Sequence, residues 1–167
     1  MKLAKLLSAE HIILEMKAVE HWPSIVELIG HLVTTGQLPD SQLDEMLDAF
    51  KAREERVSTG IGSGVAIPHA FSDHLDYVIA VFGRSRTGID FEALDNAPVH
   101  FIILFIVPRK DYHMHLRTLA AIAKMFTNSE VRRQLGNAET LEEILTIFDS
   151  KPSRFGNVSE RPQPHFS

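Results

Sequence analysis

The chain contains no cysteine, and this absence excludes several kinds of site. It can form no disulfide, holds no thiol nucleophile and offers no cysteine ligand for zinc. Nothing therefore points to an oxidising compartment. The first 20 residues include charged side chains of both signs, which excludes the apolar core of a signal peptide. We expect a cytoplasmic protein.

Long apolar runs and positive charge are also scarce. The longest apolar run, residues 99–108, includes His100 and is too short to span a membrane, so it predicts a buried strand. The formal net charge is −5, from 17 Lys and Arg against 22 Asp and Glu, which argues against a nucleic-acid partner. We expect no nucleic-acid ligand and no direct membrane insertion.

At 167 residues, the chain is long enough for one domain to bury a core without disulfides or metal. The sequence shows no internal repeat. Residues 151–167 are polar and rich in proline, which is typical of a flexible tail. We therefore predict a single domain over residues 1–150, followed by a polar C-terminal tail over residues 151–167.

Helical and strand periodicities alternate along the chain, which predicts an α/β or α+β fold. Strands are predicted at residues 12–18, 77–83 and 99–107, the last two as neighbours in one sheet. Turn or edge elements are expected at residues 88–91 and 94–96. Helices are predicted near residues 24–35, 39–56, 113–127, 130–135 and 140–148, the last opening with a capping box from Thr140 to Glu143.

The most informative segment spans residues 58–70 and has the sequence STGIGSGVAIPHA. It predicts a glycine-rich turn that leads into a short apolar strand ending at Pro68 and His69. Glycine tolerates positive φ and leaves backbone N–H groups uncovered, which suits an anion such as phosphate. Four residues are expected to shape this loop rather than bind the anion: Gly60, Gly62, Gly64 and Pro68.

His69 is the expected nucleophile, because a neutral imidazole nitrogen attacks phosphorus well near neutral pH. His115, in the first turn of a predicted helix, could donate a hydrogen bond to the phosphoryl oxygens. Arg53, just before the glycine-rich segment, could offset their negative charge. Together the three residues predict a phosphate site that needs no metal and no cofactor. Each residue also has a plainer interpretation. His69 could be an ordinary surface histidine, His115 a solvent-exposed residue at a helix terminus, and Arg53 a member of a surface ion pair.

The remaining histidines lack such a setting: His11, His21, His31, His74, His100, His113 and His165. His113 and His115 are two residues apart and do not share a helix face, so they form a poor metal pair. Asp73 and Asp76 could attract magnesium, but the chemistry outlined above does not need it.

These residues resemble the enzyme IIA domains of the bacterial phosphoenolpyruvate-dependent phosphotransferase system, type 2, in their fructose/mannitol and nitrogen-regulatory branch. The resemblance covers roughly residues 6–148. It rests on Arg53-Glu54, on residues 58–70, on FEALDNAPVHFIILFIVP over residues 91–108 and on HLRTLAAIAK over residues 115–124.

The resemblance implies a mixed sheet flanked by helices on both faces. It implies that His69 accepts a phosphoryl group, as tele-phosphohistidine, from the phosphohistidine of an HPr-like carrier. It also implies that His115 and Arg53 stabilise that group. The protein would then be a transferase component of this system, and neither a hydrolase nor a metalloenzyme.

Two roles in this family remain open, a regulatory switch and a phosphate relay. The sequence of residues 58–70 is closer to the nitrogen-regulatory type, in which the phosphorylation state controls downstream regulatory proteins. The chain ends without a fused enzyme IIB or membrane segment, which also favours a freestanding regulator. The alternative is a fructose- or mannitol-type enzyme IIA that passes phosphate to an enzyme IIB. A partner-binding domain without phosphoryl transfer is the second alternative.

Overall fold

The computed structural model describes residues 3–56, 59–110 and 112–149. The predicted tail, residues 151–167, and the proposed boundary at residue 150 lie outside the described residues, and so does Ser58. No helix within the described ranges is long and apolar enough to cross a membrane.

In the described residues, a short helix and a short strand come first, followed by two helices, five successive strands and three further helices. The helices are α1 (Leu3–Leu6), α2 (His21–Thr34), α3 (Leu43–Arg56), α4 (Tyr112–Phe126), α5 (Ser129–Asn137) and α6 (residues 141–149). The strands are β1 (Ile12–Ile13), β2 (Gly60–Gly62), β3 (Val65–Ala66), β4 (His69–Ser72), β5 (Ile79–Ile89) and β6 (Val99–Pro108). The predicted helices are confirmed, and α2 begins three residues earlier than its apolar spacing indicated.

The strands form one mixed sheet in the order β1-β5-β6-β3-β2, with β4 also paired to β6. The two long strands β5 and β6 are antiparallel neighbours, as predicted, with Ile79 opposite Ile106. On its other edge β6 runs parallel to both β3 and β4. Because β6 has a strand on each side and a helix layer on each face, its apolar residues are buried, and only His100 is partly exposed.

Helices cover both faces of the sheet, as expected. On one face α4, α5 and α6 enclose a core in which Phe82 lies edge-on to Phe148, with their ring centroids 5.1 Å apart. On the other face α2 and α3 contribute Leu28, Ile29 and Phe50 to a second buried core. The alternation of side chains along β6 supplies both cores.

Two strand predictions need correction. The strand predicted at residues 12–18 is a strand only at Ile12–Ile13, where it pairs in parallel with β5. The strand predicted at residues 77–83 is β5, which begins at Ile79 and continues to Ile89, into the turn or edge element predicted at residues 88–91. Gly88, at φ 97°, accommodates a register shift within the strand.

The predicted strand was too short because the second half of β5 is polar and includes Arg84, which is buried. The guanidinium of Arg84 donates hydrogen bonds to the carbonyls of Leu14 at 3.1 Å, Leu135 at 2.9 Å and Ala138. These bonds tie the sheet to the C-terminal end of α5. A charged residue is therefore part of a central strand because backbone carbonyls satisfy its donors.

The predicted capping box at α6 is present in part. The amide of Glu143 donates to Thr140 Oγ1 at 3.1 Å, as predicted. The carboxylate of Glu143 accepts from the amide of Glu139 at 2.6 Å rather than from that of Thr140.

Candidate functional site

His69 is the first residue of β4 rather than the last residue of a strand, so this part of the prediction is corrected. Strand β3 stops at Ala66, and β4 then continues beside the same neighbour, β6. Pro68 lies in the gap because it has no N–H to donate to the sheet, while its carbonyl accepts from the amide of Phe105 at 2.9 Å. The proline break sets the point at which His69 enters the sheet.

The ring of His69 is half-buried and held by one hydrogen bond. Its Nδ1 lies 3.1 Å from the carbonyl oxygen of Ile67. A carbonyl only accepts hydrogen bonds, so Nδ1 bears the proton and the neutral ring has its lone pair on Nε2. In the described part of the chain no hydrogen bond engages Nε2. The arrangement leaves that nitrogen available as a nucleophile.

Burial lowers the pKa of His69 below its ordinary value. The positive charge of Arg53 lowers this pKa further, while the Ile67 hydrogen bond and the charge of Glu54 act in the opposite direction. The net effect favours the neutral, nucleophilic ring near neutral pH.

Arg53 lies in the last turn of α3, the helix that packs against β4. After burial, its positive charge is the second influence that lowers the pKa of His69. Within the described residues, neither a hydrogen bond nor an ion pair occupies its guanidinium. Arg53 therefore lies close enough to His69 for its charge to act on that ring.

His115 lies in the N-terminal part of α4, on the side of the helix that faces β4. Tyr112 packs edge-on against Phe71, with ring centroids 5.4 Å apart. His115 is three residues after Tyr112 and so shares its helix face. His69 and Phe71, two residues apart in β4, share a face of the sheet. The two histidines therefore belong to facing surfaces, although among the described residues no hydrogen bond joins them.

The glycine turn at residues 62–64 lies some distance along the chain from His69, and its predicted role in shaping a phosphate loop stays a prediction. Gly62, Ser63 and Gly64 all have positive φ and close the hairpin between β2 and β3. His69 is five residues after Gly64 along extended backbone, which corresponds to about 16 Å at the rise of a strand. The amide of Ser63 already donates to Asp95 Oδ2 at 3.2 Å. The turn shapes the hairpin.

Gly60 has a different role, which is to permit close packing of two backbone segments. A Cβ at this position would lie 2.7 Å from the Cβ of Ala93. Only glycine therefore lets β2 approach the loop that follows β5.

Two residues near the site were missed by sequence reasoning, Glu54 and His21. Glu54 follows Arg53 in α3, yet its side chain is only 5% exposed. His21 Nε2 lies 2.6 Å from Glu54 Oε1, and Thr59 Oγ1 donates to Glu54 Oε2 at 2.8 Å. No spacing rule links residues 33 positions apart, so the sequence contained no signal for this contact.

The pKa of His21 is shifted in the direction opposite to that of His69. Burial alone would lower it, but hydrogen bonds and charge from Glu54 and Glu92 together outweigh burial and raise it. The two carboxylates therefore favour the protonated form of His21. Its setting differs from that of His69, and the sequence contained no sign of it.

With this geometry in view, the chain was compared with known proteins. Residues 5–151 match the family model described as "Phosphoenolpyruvate-dependent sugar phosphotransferase system, EIIA 2". The chain belongs to this family. Residues 58–70, 91–108 and 115–124, which suggested the resemblance, all lie within the matched region.

Curated relatives include sugar-specific and regulatory proteins at similar identity. The chain is 34% identical over 149 residues to the "PTS system fructose-specific EIIABC component" of Bacillus subtilis, covering 89% of this chain and 23% of that protein. It is also 34% identical over 123 residues to the "Nitrogen regulatory protein" of Pseudomonas aeruginosa, covering 74% of this chain and 79% of that protein. The chain thus spans about a quarter of the first relative and most of the second.

Solved structures share the fold. The nitrogen regulatory protein IIA-Ntr from Neisseria meningitidis superposes with a TM-score of 0.79 at 29% identity, covering 87% of this chain and 98% of that chain. Enzyme IIAMTL of Escherichia coli, solved in complex with phosphorylated enzyme IIBMTL, superposes with a TM-score of 0.72 at 20% identity, covering 86% and 96%. The second likeness concerns the fold alone.

Proposed function

We propose that this chain is a phosphohistidine carrier of the phosphotransferase system, in which His69 Nε2 accepts a phosphoryl group from the phosphohistidine of an HPr-like protein. The observation that supports this role most directly is the bond between His69 Nδ1 and the carbonyl of Ile67. It holds the proton on Nδ1 and leaves the lone pair on Nε2, while the lowered pKa favours the neutral ring.

The proposed transfer exchanges one phosphorus–nitrogen bond for another. The Nε2 lone pair attacks phosphorus, the bond to the carrier's ring breaks, and the carrier's nitrogen regains its electron pair. The phosphorylated ring of His69 gains positive charge, and its Nδ1–H bond to Ile67 stabilises that charge. No proton needs to leave His69 during the step.

Arg53 and His115 are proposed to stabilise the phosphoryl oxygens from two sides. The guanidinium of Arg53 influences the pKa of His69 and has no hydrogen bond to the residues that the structure describes, so it can form a charge-assisted hydrogen bond to the oxygens. His115 approaches from α4, whose N-terminal end adds the positive end of a 15-residue helix dipole. Positioning and charge are the main requirements of phosphoryl transfer.

The nitrogen-regulatory role is our preferred form of this function. Phosphorylation of His69 adds a charge of about −1.5 to −2 to the surface around this residue. This change is enough to alter which partner surface binds there. The regulatory relative from Pseudomonas aeruginosa and the structure from Neisseria meningitidis, each covering about three quarters or more of both chains, support this role.

Relay to an enzyme IIB is the second candidate. The fructose-specific relative supports it through equal identity, and the Escherichia coli protein of the same fold was solved with a phosphorylated enzyme IIB. Incubating the phosphorylated chain with fructose- and mannitol-type enzyme IIB domains distinguishes the two roles. Rapid transfer to such a domain supports the relay, whereas a phosphate retained in the presence of both supports the switch.

The acceptor assignment is tested by incubating the protein with phosphoenolpyruvate, enzyme I and an HPr-type carrier, followed by intact mass analysis. We expect one acid-labile phosphoryl group, absent in His69→Ala. The matched control is His74→Ala, which removes an exposed histidine five residues away whose ring pairs with Glu45 at 3.0 Å. Phosphate on His69→Ala, or none on the wild-type chain from nitrogen-branch and sugar-branch carriers, contradicts the proposal.

A further inference from the structure

A series of hydrogen bonds, linked through the covalent bonds of Thr59 and Ile67, runs from His21 to the ring of His69. His21 Nε2 lies 2.6 Å from Glu54 Oε1, and Thr59 Oγ1 donates to Glu54 Oε2 at 2.8 Å. The carbonyl of Thr59 accepts from the amide of Ile67 at 3.0 Å. The carbonyl of Ile67 in turn accepts from His69 Nδ1 at 3.1 Å. Three segments of chain, α2, α3 and the strand region around β3, are joined in one path.

Glu54 is the central residue of this path, and it needs a counter-charge. Its side chain is 5% exposed and that of His21 is 12% exposed. A carboxylate at such depth is stable only when hydrogen bonds and an opposite charge compensate for lost hydration. Thr59 supplies hydrogen bonds to both oxygens, through its hydroxyl at 2.8 Å and its amide at 3.4 Å. The opposite charge comes from His21.

His21 is held as an imidazolium by groups on both sides of its ring. Its Nδ1 lies 2.9 Å from Glu92 Oε1, while Nε2 meets Glu54. A carboxylate accepts hydrogen bonds, so both ring nitrogens donate. The ring also packs against Phe91, with centroids 4.0 Å apart. The ring is therefore fixed in orientation as well as in charge.

We propose that His21 and Glu54 are positioning residues for the phosphoryl acceptor: through Thr59 and Ile67 they hold the His69 ring, and the charge of His21 offsets that of Glu54. The proposal rests on the proposed function only for the statement that His69 accepts phosphate. Its structural part concerns the orientation and protonation of one ring.

The charges around His69 determine how its protonation should respond to substitutions at His21 and Glu54. The charged groups that α3 directs at His69 are Arg53, which lowers its pKa, and Glu54, which raises it. His115 faces it from α4. Removing the charge of His21 leaves Glu54 uncompensated, whereas removing the charge of Glu54 leaves Arg53 unopposed. The two changes should therefore move the protonation of His69 in opposite directions.

The test uses His21→Gln, Glu54→Gln and the double variant, with His69 titrated by NMR in the unphosphorylated protein. Glutamine keeps a polar side chain at both positions and removes the charge, although its amide nitrogen donates where an oxygen of Glu54 accepts. We expect the midpoint of the His69 titration to move to higher pH in His21→Gln and to lower pH in Glu54→Gln. The double variant should return towards the wild-type midpoint, because the two charge changes cancel.

Phosphoryl uptake supplies a second readout. Only the neutral ring is nucleophilic, so the acidic limb of the pH–rate profile follows the protonation of His69. The limb should move to higher pH in His21→Gln, with a severalfold lower rate on that limb, and to lower pH in Glu54→Gln. Rates on the alkaline plateau should differ much less between variants.

Glu27→Gln is the control, because Glu27 is a carboxylate of the same helix α2 outside the path. It accepts the amides of Lys17 at 3.0 Å and Ala18 at 2.9 Å. The Glu27→Gln variant should leave the His69 midpoint in place.

Midpoints that move in the same direction in both single variants, or do not move, overturn the proposal. If Glu54→Gln fails to fold, the direction of the His21→Gln shift decides alone. Absence of uptake by the wild type refutes the phosphocarrier function, while the NMR result still tests the positioning role.

Discussion

His69 and His21 are both substantially buried, yet their surroundings drive their protonation in opposite directions. His69 contacts a backbone carbonyl and lies near a guanidinium, so burial dominates and its pKa falls. His21 contacts two carboxylates, which outweigh burial and raise its pKa. Burial alone therefore does not decide what a histidine does. The partner of each ring nitrogen decides whether the ring is a nucleophile or a counter-ion.

The largest effect is expected where the buried ion pair is broken. His21→Leu leaves Glu54 buried without a counter-charge and should cost about 3 kcal/mol of stability at pH 6. Because the pKa of His21 is raised, the stabilisation from its charge is complete below the ordinary value of about 6.5. It is lost as pH rises through the raised value, so the cost should be smaller at pH 9. Urea unfolding at both pH values measures this.

His74→Leu is the matched control, since His74 makes an exposed ion pair with Glu45. It should cost less than about 1 kcal/mol at either pH. An equal loss in the two variants would show that the ionic role of His21 is absent.

A second expected effect concerns Arg53, whose positive charge acts on His69. Arg53→Ala should lower the rate of phosphoryl uptake roughly 30-fold, equivalent to about 2 kcal/mol for a lost charge-assisted hydrogen bond. Arg53→Lys should recover part of this rate, because it restores the charge without the planar fork. Single-turnover uptake from a phosphorylated carrier measures both. Unchanged uptake in Arg53→Ala removes this residue from the site.

A smaller effect separates the glycine turn from the site. Gly64→Ala places a side chain at φ 78° and should destabilise the protein by about 1 kcal/mol. Because the turn lies away from His69, the uptake rate of the folded protein should not change. Thermal unfolding and uptake are measured on the same sample. A large loss of uptake in a folded Gly64→Ala would return this turn to the phosphate site.

The smallest effect is expected from the protonation of His69 itself. Its folded-state pKa is lowered, so the unfolded chain binds the proton more readily and the wild type loses stability as pH falls below about 6.5. His69→Gln removes this penalty. We expect it to be more stable than the wild type at pH 5.5, relative to their difference at pH 8. A gain that is independent of pH would contradict the lowered pKa.

Much of the fold could be predicted because local sequence and burial agree. The apolar spacing of α2 and α4 and the continuous apolar sequence of β6 correspond to elements of the structure. The prediction stopped β5 early, because Arg84 and Ser85 are polar and Gly88 resembles a turn. Carbonyl groups from distant parts of the chain accept the hydrogen bonds of Arg84, and the sequence of the strand contains no signal for them.

The candidate site was predicted in part. The motif around His69 and its distance along the chain from Arg53 and His115 follow from resemblance, and the structure brings Arg53 to His69 and turns the face of α4 towards β4. The phosphate role of the glycine turn stays a prediction, because adjacency in sequence does not establish adjacency in space. Along extended backbone, five residues correspond to about 16 Å.

The sequence by itself determined the family, the order of most elements and the identity of the candidate nucleophile, since these depend on motifs and periodicities that are local along the chain. Only the tertiary structure decided which ring nitrogen of His69 is free, how Glu54 is compensated and that His21 belongs near the site. Those properties depend on which groups replace water around a buried side chain, and the replacing groups come from distant parts of the chain.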